Sequence, residues 1–285
     1  MSATIIDGVE ISKKVREDIA AQVVELKAKG VTPGLAVILV GDNQASKTYV
    51  GSKEKACKQL GMHSVLITMP ETATQEELLG KIKELNEDES IHGILVQLPL
   101  PKHIDENQVI ETIAPSKDVD GFHPINIGKM LAGQDTFYPC TPYGVMVMLE
   151  HIGCDPAGKH AVIVGRSNIV GKPAGQLLLN RNATVTYCHS KTENMPKYTK
   201  DADILVVAVG KRNVITSEHV KPGAVVIDVG MNRDDQGKLC GDVAFDEVKE
   251  IASYITPVPK GVGPMTITML MFNTIKAARK IHSLY

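Results

Sequence analysis

The chain has 285 residues, of which 43% are hydrophobic and 22% charged, and its formal net charge is -2 at pH 7. These proportions are those of a globular protein, and a near-neutral charge with dispersed lysines and arginines argues against a nucleic-acid partner. No apolar run approaches the length that crosses a bilayer, and the N-terminal residues lack the pattern of a signal peptide. Five scattered cysteines without a C-x-x-C pair fit reduced thiols. We therefore predict a cytoplasmic protein with small-molecule partners, no membrane partner and no metal.

In the first half of the chain, apolar runs alternate with helical patterns. They predict helices at about 11–29, 45–60 and, after the capping box Thr74-x-x-Glu77, 74–86, and strands at 35–40, 64–69 and 93–97. This order predicts a parallel sheet, and strands without polar alternation indicate that helices cover both of its faces. The glycine- and proline-rich stretch 115–142 is predicted to be irregular, with a domain boundary near its end.

A second α/β series follows this stretch. Thr141 and Pro142 provide an N-cap and a first-turn proline for a helix to about residue 151. A glycine- and proline-rich loop at 257–264 precedes a last helix at about 266–281, and strands are predicted at 161–164, 184–188, 204–208 and 225–228. The chain is therefore predicted to form two α/β domains, residues 1–140 plus 266–285 and residues 141–265.

The turn after the first strand of the second series has features of a nucleotide-binding loop. The strand at 161–164 runs into Gly165-Arg-Ser-Asn-Ile-Val-Gly171, and a helix follows. Such a turn lets a pyrophosphate approach the N–H groups at a helix N-terminus. Ser167 replaces the second glycine of G-x-G-x-x-G and the third comes one residue late, so glycines that serve only packing are the alternative. We predict a Rossmann-type dinucleotide-binding domain.

The next strand indicates which dinucleotide is bound. It ends in His189-Ser190-Lys191 rather than in the acid that holds the ribose 2′-hydroxyl of NAD. A hydroxyl and cations suit a 2′-phosphate, and Arg166 in the first loop could reach the same group. We therefore predict NADP rather than NAD, with a solvated basic turn as the alternative.

Tyr49 and Lys53 are four residues apart in the helix predicted at 45–60, so they share one face of it. Taken alone, Lys53 has the character of a solvated lysine, because three further lysines lie in the same helix, and Tyr49 that of a half-buried core ring. Spacing by itself favours a structural interpretation of this helix.

Several segments are more specific together than any single motif. With Pro139-Cys-Thr-Pro142 and the Gly165–Gly171 loop, they occur in order over nearly the whole chain. They read Ser46-Lys-Thr-Tyr49-Val-Gly-Ser-Lys53-Glu-Lys-Ala-Cys57, Gly93-Ile-Leu-Val-Gln97-Leu-Pro-Leu-Pro101, Lys117-Asp-Val-Asp120-Gly-Phe-His-Pro124 and Tyr254-Ile-Thr-Pro-Val-Pro259-Lys-Gly-Val-Gly-Pro-Met-Thr266. Because it contains all of these segments in this order, the chain resembles the bifunctional methylenetetrahydrofolate dehydrogenase/methenyltetrahydrofolate cyclohydrolase family.

The resemblance implies a role for each matching residue. Lys53 would be the main catalytic group, with Gln97 beside it and Tyr49 packed on the folate rings. Asp120 would hold the pterin, whose adjacent N–H and amino group form a fork that one carboxylate can accept. Further folate contacts are implied for Val50, Gly51, Ser52, Val96, Leu98, Pro259, Lys260, Gly261, Val262 and Gly263. Contacts to NADP are implied for Gly165, Arg166, Ser167, Ser190 and the backbone near Met231.

The resemblance also implies two reactions. A hydride passes from 5,10-methylenetetrahydrofolate to NADP, which requires orientation more than acid–base help, and the methenyl cation is then hydrolysed to 10-formyltetrahydrofolate. An uncharged Lys53 would activate the water. Its pKa would be lowered by desolvation, by the charge of the substrate and by a hydrogen bond donated by the Gln97 amide. Residues 1–140 plus 266–285 would bind the folate and residues 141–265 the NADP, with the active-site cleft between them, in a homodimer.

Three other functions remain open at this point. One is a dehydrogenase of the same fold that lacks the hydrolytic activity or prefers NAD; Lys53 and Gln97 together argue for both activities, and Arg166 with Ser190 argues for NADP. The second is a shikimate-type dehydrogenase, in which Asp120 has no obvious use, and the third is a nucleotide-sensing module without turnover. One residue departs from the family pattern, since Lys260 stands where a glycine is usual. A positive φ there would cost a lysine roughly 1 kcal/mol; otherwise the side chain would face solvent or the folate tail.

Overall fold

The computed structural model describes residues 2–284, and the α/β class with parallel sheets is confirmed. A single 3₁₀ turn at Ser217–His219 is described besides the helices and strands. These are, in chain order, β1 (Thr4–Ile5), α1 (Gly8–Ala28), β2 (Gly34–Val40), α2 (Gln44–Leu60), β3 (His63–Met69), α3 (Gln75–Glu87), β4 (Gly93–Val96), α4 (Glu106–Thr112), α5 (Pro124–Leu131), α6 (Cys140–His151), β5 (His160–Val164), α7 (Gly171–Asn180), β6 (Thr184–Cys188), α8 (Pro196–Thr199), β7 (Ile204–Val207), β8 (Val225–Asp228), β9 (Asn232–Arg233), β10 (Leu239–Cys240), α9 (Phe245–Val248), β11 (Tyr254–Ile255) and α10 (Val262–Ile281).

The chain divides into two compact units. The three-stranded unit comprises residues 14–140 and the chain from 267 onward, and the six-stranded unit comprises the chain up to residue 13 together with 141–266. The sequence prediction placed residues 1–13 with the first of these units. They group with the six-stranded unit instead, because β1 pairs in parallel with β11.

The three-stranded unit is built on a parallel sheet with the order β3-β2-β4. All seven residues of the central strand β2 are buried, as expected for an apolar run with both sheet faces covered. Thr74 and Glu77 form the predicted capping box at the start of α3, each side chain accepting the other's backbone N–H. The buried stripe of α3 packs in the same core as β2 and consists of Leu78, Ile82 and Leu85.

The stretch 115–142, predicted to be irregular, contains the helix α5. His123 Nδ1 accepts the N–H of Ile125, and Pro124 takes the first helical position, where its missing N–H costs no hydrogen bond. The prediction was wrong here because the glycines and prolines of the stretch obscured this start signal. The helix α4, capped by Asp105, was also not predicted.

The six-stranded unit has a fully parallel sheet with the order β1-β11-β8-β7-β5-β6. After β5 the chain first adds β6 on one side and then β7 on the other, so the strand order reverses between β5 and β7. The carboxyl ends of such a pair form the topological switch point at which nucleotides bind in this class of sheet. The four strands predicted in this region are confirmed to within one residue at each end.

Two parts of this unit differ from the prediction. The last helix, α10, begins at Val262 rather than at about residue 266, so Val262 and Gly263 lie in its first turn. The antiparallel pair β9 and β10 was not predicted, because strands of two residues carry no periodicity.

Candidate active site

Lys53 lies on the buried face of α2. Asn43 caps this helix by accepting a first-turn N–H, and Gly61 ends it with a φ of 71°. Val50, Lys53 and Cys57 follow the three- and four-residue spacing of one helix face, and Lys53 is only 8% exposed. The other lysines of the helix are exposed. The solvated-lysine interpretation is therefore wrong for Lys53.

Gln97 directly follows β4 and contacts Lys53. Lys53 Nζ donates to Gln97 Oε1 at 2.9 Å, and Gln97 Nε2 donates to the Leu98 carbonyl oxygen at 2.8 Å. Because a carbonyl oxygen can only accept, the second bond determines which end of the amide faces Lys53. The predicted hydrogen bond therefore runs in the opposite direction: Gln97 accepts from the amine, which favours the charged form of Lys53.

Asp120 and Cys140 complete a cluster around Lys53. Burial lowers the pKa of Lys53, and the charge of Asp120 opposes this shift. Burial also raises the pKa of Asp120, against the charge of Lys53, and burial followed by the charge of Asp120 holds the pKa of the Cys140 thiol well above its usual value. A lysine that loses its proton more readily, beside an acid that retains one more readily, is suited to proton transfer. Cys140 belongs to the motif 139–142, which predicts no role for its thiol.

Asp118 holds the loop that carries Asp120. Its carboxylate is 2% exposed and accepts the N–H of Phe122 at 3.2 Å, and the N–H of His123 and Nδ2 of Asn126 at 2.8 Å each. Three donors in a buried place satisfy a charge that would otherwise be costly. Asp118 belongs to the motif 117–124, but its residue type and position predict no role for it.

Two further contacts fix the backbone on either side of Asp120. On one side, Asn273 Nδ2 donates to the Val119 carbonyl oxygen at 2.8 Å. On the other, Gly121 has a φ of 76°, and a Cβ there would lie 2.6 Å from backbone atoms of Tyr138 and the residue after it, so only glycine fits. Asn273 lies on α10 and carries no sequence signal, since a buried asparagine is recognisable only from its contacts.

The other folate contacts predicted in this unit fall into two groups. The side chains of Val50 and Val96 are in the core, 2% and 7% exposed, so a contact from either would use main-chain atoms. The other predicted contact residues of this unit are exposed or half-buried: Tyr49, Gly51, Ser52 and Leu98. Of these, Tyr49 lies one helical turn before Lys53.

The predicted folate loop 259–263 lies in the six-stranded unit. Lys260 is exposed and has a φ of 81°, so its backbone is in the left-handed region and its side chain faces solvent. Its carbonyl oxygen accepts the N–H of Gly8 at 2.8 Å. A Cβ on Gly8 would lie 1.8 Å from the Gly261 carbonyl oxygen, and one on Gly261 would lie 2.4 Å from that of Pro257. The loop is therefore held by close backbone contact that two glycines permit.

The glycine-rich turn lies at the switch point of the six-stranded sheet. Gly165 has a φ of 131°, and a Cβ there would lie 2.3 Å from the Ala208 carbonyl oxygen, while one on Gly171 would lie 2.5 Å from that of Gly165. Ser167 Oγ accepts the N–H groups of Val170 and Gly171 at 3.2 Å each. The glycines do serve packing, and the same packing brings this turn to the N-terminus of α7, where an anion is favoured.

The side chains predicted to hold NADP border the same edge of the sheet. The residues that follow β6 are His189-Ser190-Lys191, which offer hydrogen-bond donors and contain no acidic side chain. Met231 follows β8 and is 50% exposed. Hydroxyl groups and a guanidinium fit the 2′-phosphate of NADP better than the hydroxyl of NAD. The exposed polar members of the set are Arg166, Ser167 and Ser190.

Among residues 2–284, no group of three or more His, Cys, Asp or Glu side chains is placed to hold a metal ion. No helix in this described part of the chain has both the length and the apolar character that crossing a membrane requires.

A dinucleotide-type turn in one unit, and a buried lysine with an amide and a carboxylate in the other, define a two-unit nucleotide-dependent enzyme. Two family models match the chain. The model described as tetrahydrofolate dehydrogenase/cyclohydrolase, catalytic domain, matches residues 6–120, and that of the NAD(P)-binding domain matches residues 139–282. The chain belongs to the tetrahydrofolate dehydrogenase/cyclohydrolase family, which confirms the resemblance seen in its motifs.

Individual relatives cover nearly the whole chain. The bifunctional protein FolD of Lysinibacillus sphaericus is 66% identical over 278 residues, 98% of each chain. The crystal structure of the bifunctional FolD enzyme from Campylobacter jejuni has a TM-score of 0.96 and 52% identity, over 98% of this chain and 100% of that one. The FolD structure from Trypanosoma brucei, complexed with NADP cofactor and inhibitor, has a TM-score of 0.95 and 38% identity, over 99% of each chain.

Proposed function

We propose that this chain oxidises 5,10-methylenetetrahydrofolate to 5,10-methenyltetrahydrofolate with NADP and then hydrolyses the product to 10-formyltetrahydrofolate. The observation that carries the proposal is the buried Lys53, which donates to Gln97 and is coupled to the charge of Asp120. Hydrolysis needs a proton acceptor of this kind, whereas hydride transfer alone does not. The relatives named as bifunctional also support the two-step function.

Two residues of the three-stranded unit would hold the folate. Asp120 would accept the paired donors of the pterin, an N–H and an amino group side by side. Tyr49 lies one turn before Lys53 on α2 and offers an aromatic face to the folate rings. These contacts orient the carbon between N5 and N10 for both reactions.

The oxidation depends mainly on orientation. Bound NADP supplies the hydride acceptor. As the hydride leaves the methylene carbon, positive charge develops there and is shared by N5 and N10. An uncharged Lys53 would not repel this charge, whereas an ammonium in a site of low dielectric would. The lowered pKa of Lys53 therefore assists the first reaction as well as the second.

The hydrolysis needs a proton acceptor. Water adds to the methenyl carbon and gives one proton to Lys53 Nζ. The bond from this carbon to N5 then breaks as the remaining hydroxyl proton passes to N5, which leaves a formyl group on N10, and Lys53 returns its proton to solvent. Because Lys53 donates one N–H to Gln97 Oε1, its nitrogen is held in one orientation while it accepts the proton. The positive charge of the substrate lowers the pKa of Lys53 further.

The NADP would be held by the six-stranded unit. The turn from Gly165 to Gly171 and the N-terminus of α7 suit the pyrophosphate. Arg166 and Ser190 would hold the 2′-phosphate, with Ser167 shaping the turn between them. Main-chain groups near Met231 would contact the nicotinamide end.

Lys53→Met tests the role of the lysine. We expect the hydrolysis of supplied 5,10-methenyltetrahydrofolate, followed by the loss of its absorbance, to fall by about 10²–10⁴-fold, the range for a lost general base. Lys55→Met is the matched control, because Lys55 is an exposed lysine of the same helix; it should keep both activities. Hydrolysis near the wild-type rate in Lys53→Met would contradict the role of the lysine. Failure of the wild-type enzyme to reduce either NADP or NAD with methylenetetrahydrofolate would contradict the whole proposal.

We also propose that the enzyme is a cytoplasmic homodimer that binds neither nucleic acid nor membranes. The family resemblance supports the dimer, and the five free cysteines fit a reducing compartment. Sedimentation equilibrium of the purified protein would test the dimer, and a mass of one chain at micromolar concentration would contradict it.

A further inference from the structure

Two buried aspartates lie at the carboxyl end of the six-stranded sheet and have no role in the proposed reaction. Asp228 is the last residue of β8 and is 3% exposed, and Asp242 is 0% exposed. Buried acids are costly unless hydrogen bonds satisfy them. The donors that do so here lie in the loop after β7 and in the chain that follows β8 through β9 and β10, at the edge of the sheet where the nucleotide would bind.

Asp242 gathers the loop after β7. Its Oδ2 accepts the N–H groups of Val209 at 2.7 Å and Gly210 at 3.0 Å. Its Oδ1 accepts the N–H of Lys211 and Nδ2 of Asn232, both at 2.8 Å. Each carboxylate oxygen therefore receives two donors, and three consecutive backbone N–H groups are fixed by one side chain.

Asp228 holds the segment that carries Asp242. Its Oδ1 accepts the N–H of Gly230 at 2.9 Å and that of Asp242 at 3.0 Å, and its Oδ2 accepts the N–H of Val243 at 2.9 Å. Burial raises the pKa of Asp228 to about 6, and these N–H groups oppose the shift. The carboxylate is thus still the main form at neutral pH, as its acceptor role requires.

Glycines allow the two acids to interlock. A Cβ on Gly230 would lie 2.2 Å from Asp242 Cγ, and a Cβ on Gly241 would lie 1.8 Å from Asp228 Oδ2. Each acid therefore packs against a glycine that lies next to, or near, the other acid in the chain. Both glycine positions must remain without a side chain for the pair to form.

We infer that Asp242, supported by Asp228, is a positioning residue for NADP. Asp242 fixes the loop 209–211 and the side chain of Asn232, and Asp228 fixes Gly230, in the conformation that binds the cofactor. The inference rests on the proposed NADP-dependent function. The loop after β7 borders the switch point, because Ala208 is the residue against which Gly165 of the glycine-rich turn packs. In a doubly wound sheet, loops at this place border the bound dinucleotide.

Asp242→Asn is the sharpest perturbation, because the change is isosteric. An amide has one oxygen and one NH₂ group, and each oxygen of Asp242 now accepts two donors. Whichever way the amide turns, two donors face an NH₂ group and lose their acceptor. The loop should therefore loosen without loss of packing volume.

Asp203→Asn is the matched control. Asp203 precedes β7 at the opposite, amino end of the same sheet, where it accepts the N–H of His160 at 2.9 Å and pairs with Lys221 at 2.6 Å. Each variant removes one negative charge that accepts a backbone N–H. The charge is buried at Asp242 and half-buried at Asp203. Only Asp242→Asn affects the edge where the cofactor would bind.

The experiment measures both activities and the Kd of NADP by titration calorimetry on the full chain. For Asp242→Asn we expect KM and Kd for NADP to rise at least tenfold and kcat at saturating NADP to change less than threefold. Hydrolysis of supplied methenyltetrahydrofolate without NADP should fall no further than in Asp203→Asn. Gly230→Ala, which would displace Asp242 without changing its charge, should reproduce the NADP effect.

The outcomes separate the inference from the function on which it rests. An unchanged Kd for NADP in Asp242→Asn and Gly230→Ala, with a wild-type enzyme that binds NADP, would overturn the positioning role alone. Parallel losses in hydrolysis, NADP binding and thermal midpoint in Asp242→Asn and Gly230→Ala would also overturn it, since they indicate a general structural role. A wild-type enzyme that does not bind NADP would overturn the proposed function itself, and the inference with it.

Discussion

Replacing Lys260 by glycine should stabilise the protein. Lys260 has a φ of 81°, and a left-handed backbone costs a residue with a Cβ roughly 1–2 kcal/mol. Glycine removes this cost but loses about 0.5–1 kcal/mol more conformational freedom on folding. The hydrogen bond from Gly8 N–H to the Lys260 carbonyl oxygen is a main-chain contact, so it survives the change. The net gain in the free energy of unfolding should fall in the range of about 0–1.5 kcal/mol, with a midpoint of about 0.75 kcal/mol, or about 2 °C in Tm.

Differential scanning calorimetry of the two proteins would measure this gain. Lys200→Gly is the matched control, because Lys200 is another exposed lysine of the six-stranded unit and has an ordinary φ of -64°. The free energy of unfolding of that variant should fall by about 0.5–1 kcal/mol, because glycine there adds its entropic cost and relieves no strain. If Lys260→Gly lowers the Tm as much as Lys200→Gly does, the reasoning from backbone strain is refuted.

Two further predictions concern titrating groups. Gln97→Glu places a carboxylate beside Lys53 and should raise its pKa; the acid limb of the hydrolysis pH profile should move upward by about one unit or more, and an unmoved profile would show that Lys53 is not the group observed. For His92, 2% exposed, burial and then nearby positive charge lower the pKa to about 4. The folded state therefore favours the neutral form of His92. This preference contributes about 3 kcal/mol to the free energy of unfolding. The contribution is complete above pH 6.5 and is lost as the pH falls towards 4. The urea midpoint should fall over this range in the wild type and less in His92→Asn, whose side-chain oxygen can still accept the N–H of Gly34; equal falls would contradict the assignment.

The regular elements of the fold were predictable where local signals agreed with one another. The capping box of Thr74 and Glu77 and the unbroken apolar run of β2 each specify one structure, and both are present. The two-residue strand β1 was not predictable, because its pairing with β11 joins segments at opposite ends of the chain. The start of α5 was missed for another reason: the His–Pro signal was present but lay among turn-forming residues.

The site was predictable in composition but not in geometry. Four-residue spacing placed Tyr49 and Lys53 on one face of α2, yet nothing in the spacing showed that Lys53 is 8% exposed while the other lysines of its helix are exposed. The direction of its hydrogen bond to Gln97 depends on the Leu98 carbonyl, which a sequence does not orient. The role of Asn273 was not predictable, because its hydrogen bond to Val119 joins residues far apart in the chain and leaves no local sequence pattern.

The aspartates of this protein differ in whether other groups occupy the lone pairs of their carboxylates. Asp118, Asp228 and Asp242 each accept several backbone or amide N–H groups. A carboxylate whose lone pairs are occupied in this way has little capacity left for a substrate. The surroundings of Asp120 are side chains that can titrate, Lys53 and Cys140, and its backbone is fixed by its neighbours. Burial alone therefore does not identify a catalytic acid; the identity of its donors is the better guide, and by this criterion we propose Asp120 as the reactive member of the four.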